Sequence, residues 1–370
     1  MPASDKRDKQ GKNRIRVTLT RSLADLGFCI SYADPGVFLA KLGCHTLILA
    51  IHVDDCILTG SSPELISQYK VKLNNCYALT NLGPVHWLLS IKITHDRSAH
   101  SISLSQTAYI NTIVSHFGLS DAKSYDTPMT PGIVHSCSDC PSDPAELDWM
   151  KKTPYREAIG SLMYASVATH PDITYSVSAL SCFLNNPGTI HWEAAKRVPC
   201  YLSGTKNLTL TYGEECHDLV GYTDADSASH EHRHAVSGYT FLINGGAISW
   251  QSRKQEIVTL STAEAEYVAT THAAKEAIWL HCLISQLFPA PPSPTTLYCD
   301  NQAAIKLASE DNYHTRTKHI DIRYHFIWQV IADDNITLIY CRTDDMVADI
   351  FTKSLPKWKI VTHVSNLGLR

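Results

Sequence analysis

At 370 residues and 44% hydrophobic composition, the chain can fill the cores of two or three ordinary domains, which excludes a disordered or fibrous protein. A formal charge of −4 and a pI near 6.5 exclude attraction of nucleic acid by bulk charge, so any such contact rests on local patches and on metal ions bridging to phosphate. The longest apolar run, residues 46–53, is too short to span a bilayer and the N-terminus has no signal h-region, so an intracellular protein is expected, cytoplasmic or nuclear, with no membrane partner.

Residues 1–20 read as a solvated, disordered arm, because Lys6, Arg7, Lys9, Lys12, Arg14 and Arg16 follow no apolar period. The run TLILAIHVDDCILTG predicts a strand over Thr46 to Val53, a turn at Asp54-Asp55 and a returning strand over Cys56 to Thr59, a hairpin tipped with two carboxylates. Ser62 is an N-cap with Pro63 at the first helical position, followed by Leu65, Ile66, Tyr69 and Leu73. A strand pair is expected over His86 to Thr94 and Ser101 to Leu104. Residues 128–150 are rich in Pro, Ser and Asp without a period and read as a linker. Within it Cys137 and Cys140 alone are spaced like metal ligands, and with no second ligand pair at zinc-site spacing no zinc site is expected. The remaining cysteines are scattered, several in apolar runs, which fits a reducing compartment.

Residues 151–214 are mostly helical, with amphipathic stretches over Ala158 to Ala168, Ile173 to Leu184 and His191 to Leu202. Pro199 removes a backbone bond inside the third, so that helix should kink or stop early. Residues 215–358 carry a strand over Asp218 to Asp224, a hairpin of Ser237 to Ile243 and Ala247 to Gln251 closed by Asn244-Gly245-Gly246, and an edge strand over Ile257 to Leu260. A long helix capped by Ser261 follows, then strand Thr296 to Asp300, helix Gln302 to Ala308, the basic stretch RTKHIDIRYHFIWQV, strand Ile336 to Cys341 and helix Met346 to Leu355. Residues 359–370 are left as a tail.

Four acids in this last region carry the chemistry. Glu264 is explained by the capping box Ser261-Thr262-Ala263-Glu264. Glu266 faces the stripe of Ala269 and Ala273, where a carboxylate is costly unless it meets a cation. Asp300 could cap the following helix, and Asp224 could be a solvated loop acid beside Asp226. Asp349 lies among Val347, Ile350 and Phe351, half toward the core. Acids at strand ends and helix starts of a mixed sheet can meet at one edge, so Asp224, Glu266, Asp300 and Asp349 are the candidate catalytic residues and ligands for two Mg2+ ions, with Mn2+ as the alternative.

The segments GYTDADSAS, SGYTFLINGGAISWQSRKQ, LSTAEAEYVA, LYCDNQAAIKLA, RTKHIDIRYHFI and ADIFTKSLP resemble the ribonuclease H domain of copia-type LTR retrotransposon polyproteins. HVDDCILTGSS, LSQTAYI, YREAIGSLMYASVATHPDI and HWEAAKR resemble the reverse transcriptase portion before it. The resemblance implies a partial reverse-transcriptase palm over residues 21–127, a helical thumb or connection over 151–214, and over 215–358 a ribonuclease H-like mixed five-stranded sheet flanked by helices. It also implies that Asp224, Glu266, Asp300 and Asp349 bind metal, and that Asp54 and Asp55 are two of three polymerase carboxylates. Only 53 residues precede Asp54 and none supplies the third acid, so polymerase activity is not expected of this chain alone; a complementing retroelement polypeptide is the implied partner.

His52, Ser90 and Ser227 stand where the family usually has Tyr, Gly and Trp, and with Pro199 these departures read as drift. The loop Cys341 to Asp345 lacks the His that many ribonucleases H carry there, leaving His319 and His325 as substitutes. Arg253, Lys254, Arg316, Lys318 and Arg323 are the candidates for gripping hybrid phosphates. The leading expectation is an RNA/DNA-hybrid ribonuclease. The alternatives are a catalytically dead relic that only binds nucleic acid, and a transposase or integrase, whose acids would need a different order.

Overall fold

The computed structural model describes residues 19–213, 218–226, 234–259, 261–288, 294–309 and 321–370. The chain divides into two compact units, Met1–Val85 with Trp279–Pro291, and His86–Ile278 with Pro292–Arg370.

In the first unit β1 (Cys29–Ile30), β2 (Val37–Leu42), β3 (His45–His52) and β4 (Asp55–Gly60) form an antiparallel meander, covered by helix α1 (Pro63–Cys76). Alternation along β2 and β3 buries Phe38, Leu47 and Leu49 against Leu23, Phe28, Tyr69 and Leu73. Ser62 caps α1 by accepting from the Leu65 amide at 3.3 Å, as expected. The hairpin turn differs from expectation: His52 pairs with Asp55, so the turn is Val53-Asp54 and Asp55 begins the returning strand. Val53 adopts φ 54°, a left-handed conformation uncommon for a β-branched residue.

In the second unit β5 (Trp87–Leu88), β6 (Ile91–Asp96), β7 (Ser101–Ser105) and β8 (Leu210–Tyr212) form another antiparallel sheet. Around it lie α2 (Thr107–His116), α3 (Pro144–Lys152), α4 (Tyr155–Ala168), α5 (Thr174–Ser181) and α6 (Thr189–Thr205). The expected linker is partly structured: α3 occupies its end, and Met129 and Met150 are buried in the unit's main core. Helix α6 runs through Pro199 to Thr205 rather than stopping early. Burial of Ala195, Val198, Tyr201 and Leu202 offsets the roughly 3 kcal/mol that an internal proline costs. The buried Asp172 is satisfied within this helical layer, where the Tyr201 hydroxyl donates to it at 2.7 Å and His170 Nδ1 lies 3.2 Å away.

The same unit holds a five-stranded sheet in the order β11-β10-β9-β12-β13, made of β9 (Val220–Asp226), β10 (Val236–Ile243), β11 (Gly246–Lys254), β12 (Thr295–Cys299) and β13 (Ile336–Tyr340). The first three are antiparallel, while β12 runs parallel to β9 and β13 parallel to β12. With α7 (Thr262–Leu287), of which residues up to Ile278 belong to this unit, α8 (Gln302–Ser309) and α9 (Asp321–Ala332), this is the mixed sheet of ribonuclease H type that the sequence predicts. Asn244 and Gly245, at φ 51° and 76°, make the tight turn between β10 and β11. The expected edge strand over Ile257 to Leu260 is absent among the described residues 256–259. The chain instead turns there so that the Gln255 side chain donates to Ser237 Oγ and the Ala265 carbonyl at 2.8 and 2.9 Å. In place of the expected helix Met346 to Leu355 there is a single 3-10 turn, Val347–Phe351, preceded by another over Thr343–Asp345, and helix α10 (Lys357–Asn366) runs into the expected tail. Ile360, His363 and Val364 of α10 are buried, and Leu369 bridges to Leu210. Core residues of α4 to α6 and of the sheet region form one cluster, tied by Trp250 Nε1 donating to the Ser166 carbonyl at 2.9 Å and Ser178 Oγ to that of Ser252 at 3.0 Å.

Candidate functional site

Asp224 lies inside β9 rather than at its end, opposite Gly238 of β10. A Cβ at Gly238 would stand 2.7 Å from Phe351 Cβ and 2.8 Å from Thr352 Cγ2, so glycine is what lets the segment carrying Asp349 lie directly on the sheet. That approach brings the Thr352 hydroxyl to donate to Asp224 Oδ2. Cys299 of β12 pairs in parallel with Thr223, which sets Asp300 beside Asp224 on the neighbouring strand. Thr343 Oγ1 donates to Asp300 Oδ2 at 2.9 Å. Glu266, in the first turns of α7, accepts from the Ala225 amide, and its Oε2 is buried with no hydrogen-bond partner among the described residues.

The bland readings of these acids resolve locally. Asn301, not Asp300, caps α8, accepting from the amides of Ala303 and Ala304 at 3.0 Å each, which leaves Asp300 free to face the sheet edge. Ser261 caps α7 by accepting from the Glu264 amide at 3.2 Å, as the capping box predicts.

One carboxylate oxygen each from Asp224, Glu266 and Asp300 lie within 4.8 Å of one another. Burial, then the charge of Asp349 and Asp300, pushes Asp224 up to about 7 against the pull of Lys353. Burial, then Asp224 and Asp300, pushes Glu266 well above the usual carboxylate range. A buried carboxylate oxygen without a hydrogen bond, inside a group of like charges, fits a divalent cation with hard oxygen ligands. Asp349 is fully buried and adjacent, but its oxygens face Lys353 Nζ at 2.8 Å and Lys359 Nζ at 3.6 Å. The structure therefore gathers three of the four predicted acids into one group, and the fourth meets two lysines. Lys353 also reaches Asp224 Oδ2 at 3.9 Å; burial works against its ammonium, yet Asp224 and Asp349 hold its pKa above the usual lysine value.

Lys353, Lys359, Thr343 and Thr352 are not singled out by sequence reasoning. The available signal was Asp349 four residues before Lys353, the spacing of an ion pair on a helical turn. Asp54 and Asp55 are exposed at their hairpin, and among the described residues no third metal-ligating side chain gathers with them. Arg253 is exposed and pairs with Glu256; Lys254 is half-buried. Arg253, Ser237 and Ala225 share one row across β11, β10 and β9, which sets Arg253 about 10 Å from the acidic strand at ~4.8 Å per strand. Arg316, Lys318 and His319 lie outside the described residues, and Arg323 and His325 lie on α9.

A second group, His135, Asp139 and His191, also places ligand atoms within 4.8 Å. His191 Nδ1 accepts the Gly188 amide at 2.9 Å, so the neutral ring carries its proton on Nε2 and has no lone pair left for a metal.

Among known proteins, residues 8–131 match the family "Reverse transcriptase (RNA-dependent DNA polymerase)". The chain is 40% identical over 331 residues, 89% of its length, to a retrovirus-related Pol polyprotein from transposon TNT 1-94 of Nicotiana tabacum. It is 30% identical over 263 residues to the Ty5-1 transposon protein of Saccharomyces cerevisiae, covering 70% of this chain and 82% of that protein. The chain belongs to the Pol polyproteins of copia-type retrotransposons. This Pol chain spans about a quarter of the tobacco polyprotein, 25% by aligned length. A crystal structure of LC11-RNase H1 in complex with RNA/DNA hybrid is similar over 36% of this chain and 94% of that one, at 13% identity and a TM-score of 0.28. Among the described residues no helix of the Pol chain is long and apolar enough to cross a membrane.

Proposed function

We propose that the second unit is a divalent-metal-dependent ribonuclease that cuts the RNA strand of RNA/DNA hybrids, leaving 3′-hydroxyl and 5′-phosphate ends, and that the Asp54–Asp55 hairpin is a polymerase remnant inactive by itself. The observation that carries this reading is the meeting of Asp224, Glu266 and Asp300 oxygens within 4.8 Å at one end of the mixed sheet. These three carboxylates would hold Mg2+, with Mn2+ as the alternative. When bound, the ion supplies activation of water and stabilisation of the leaving oxygen in phosphodiester hydrolysis. Thr352, Thr343 and the Ala225 amide each donate to one of the three acids and so fix the orientation of their oxygens. Arg253, exposed on the edge strand β11, would contact a backbone phosphate, an interaction that gives salt-dependent and sequence-independent binding. Selectivity for a hybrid would come from 2′-hydroxyls and groove shape.

Cleavage of a fluorogenic RNA/DNA hybrid in Mg2+ tests the reading. The expected result is cleavage that chelator abolishes and that Asp300→Asn removes without removing hybrid binding. Hybrid binding with no cleavage by the unsubstituted chain would favour a binding-only relic instead.

A further inference from the structure

Both oxygens of Asp349, the fourth acid of the site, are buried with no geometric hydrogen bond among the described residues, and the charges that meet them are those of Lys353 and Lys359. Lys353 Nζ lies 2.8 Å from Asp349 Oδ1 and 3.9 Å from Asp224 Oδ2, so one ammonium bridges two buried acids, of which Asp224 also belongs to the three-carboxylate group. Asp349 Oδ2 is faced by Lys359 at 3.6 Å. Neither acid can swing away easily. Asp224 is locked into β9 and accepts from Thr352, and the Asp349 turn is pressed against Gly238 with no room even for a Cβ. Lys353 is the mobile partner, its side chain 35% exposed where the Asp349 side chain is wholly buried.

We propose that Lys353 is a positioning residue that takes the place of a second metal ion between Asp224 and Asp349, so that this chain binds one divalent ion, at Asp224, Glu266 and Asp300. The inference rests on the metal-binding reading of that group and deepens it. It also commits to a specific consequence: removing the ammonium opens a second ion position, while a cation of another shape keeps it closed.

The test is Mn2+ binding to the full chain, by calorimetric stoichiometry and by electron paramagnetic resonance, for the unsubstituted protein, Lys353→Met and Lys353→Arg. The expected result is one ion per chain for the unsubstituted protein and Lys353→Arg, and two ions with spin-coupled signals for Lys353→Met. Two coupled ions already in the unsubstituted protein would overturn the role of Lys353 and leave the ribonuclease reading standing. One ion in all three would also overturn it. No ion in any of them would overturn the metal reading itself, and the inference with it. Should Lys353→Met fail to fold, as judged by circular dichroism, Lys353→Gln replaces it in the same measurement with the same outcomes.

Discussion

Replacing Asp224 with Asn should stabilise the metal-free chain, and the effect should depend on pH. Asp224 is 3% exposed and its carboxyl is pushed from 3.8 up to about 7, chiefly by burial. A carboxyl whose folded pKa lies above its unfolded value keeps a proton in the native state that the unfolded chain has released. It therefore costs nothing below about pH 4 and costs progressively more as pH rises toward 7. At about 1.4 kcal/mol per pKa unit the full cost above pH 7 is at most roughly 4 kcal/mol. Asn fills the same space and can still accept from Thr352, and the lost attraction of Lys353 is already contained in that shift, so a net gain of up to roughly 4 kcal/mol is expected at pH 8. Urea unfolding in chelator, followed by tryptophan fluorescence at pH 8 and at pH 4, measures it: a clear gain at pH 8 and almost none at pH 4. In saturating Mg2+ the order should reverse, because only the unsubstituted chain gains stability from the bound ion. Destabilisation by Asp224→Asn at pH 8 without metal, or a gain that does not change with pH, would refute the reasoning.

Three further outcomes are expected. Ser90 adopts φ 61° in the turn between β5 and β6, so Ser90→Gly should raise stability by about 1 kcal/mol, read as a shift in urea midpoint with unchanged slope. Gly238→Ala should lower stability by about 1–3 kcal/mol, because the new methyl meets Phe351 and Thr352; the Mg2+-induced rise in melting temperature should shrink with it, since the same contact seats Thr352 on Asp224. Primer extension on a homopolymer template should show no incorporation by this chain above an Asp54→Asn control, given that Asp54 and Asp55 gather no third ligand among the described residues.

Much of this was legible because local signals and tertiary placement agreed. The Ser62-Pro63 helix start, the Asn244-Gly245 turn and the Ser261 cap each carry their geometry in two or three adjacent residues. Asp300 and Glu266 were readable as site acids because a strand end and a helix start converge at one sheet edge. The failures lie where burial overrides propensity. Pro199 argues locally for a break, but the apolar face of α6 keeps the helix running. Residues 257–259 look like a strand, but Gln255 turns the chain to satisfy Ser237 and Ala265. Helix α10 was read as a tail because its buried stripe is only Ile360, His363 and Val364, too short to stand out in sequence. The pairing of Asp349 with Lys353 is carried by their four-residue spacing, whereas that with Lys359 depends on where α10 returns and has no local signal.

The most direct test of the central claim is anomalous scattering from crystals of the unsubstituted chain grown in Mn2+. The account predicts a peak ligated by oxygens of Asp224, Glu266 and Asp300, with the Lys353 ammonium still between Asp224 and Asp349. No peak at those three carboxylates under conditions that saturate other manganese sites would contradict it.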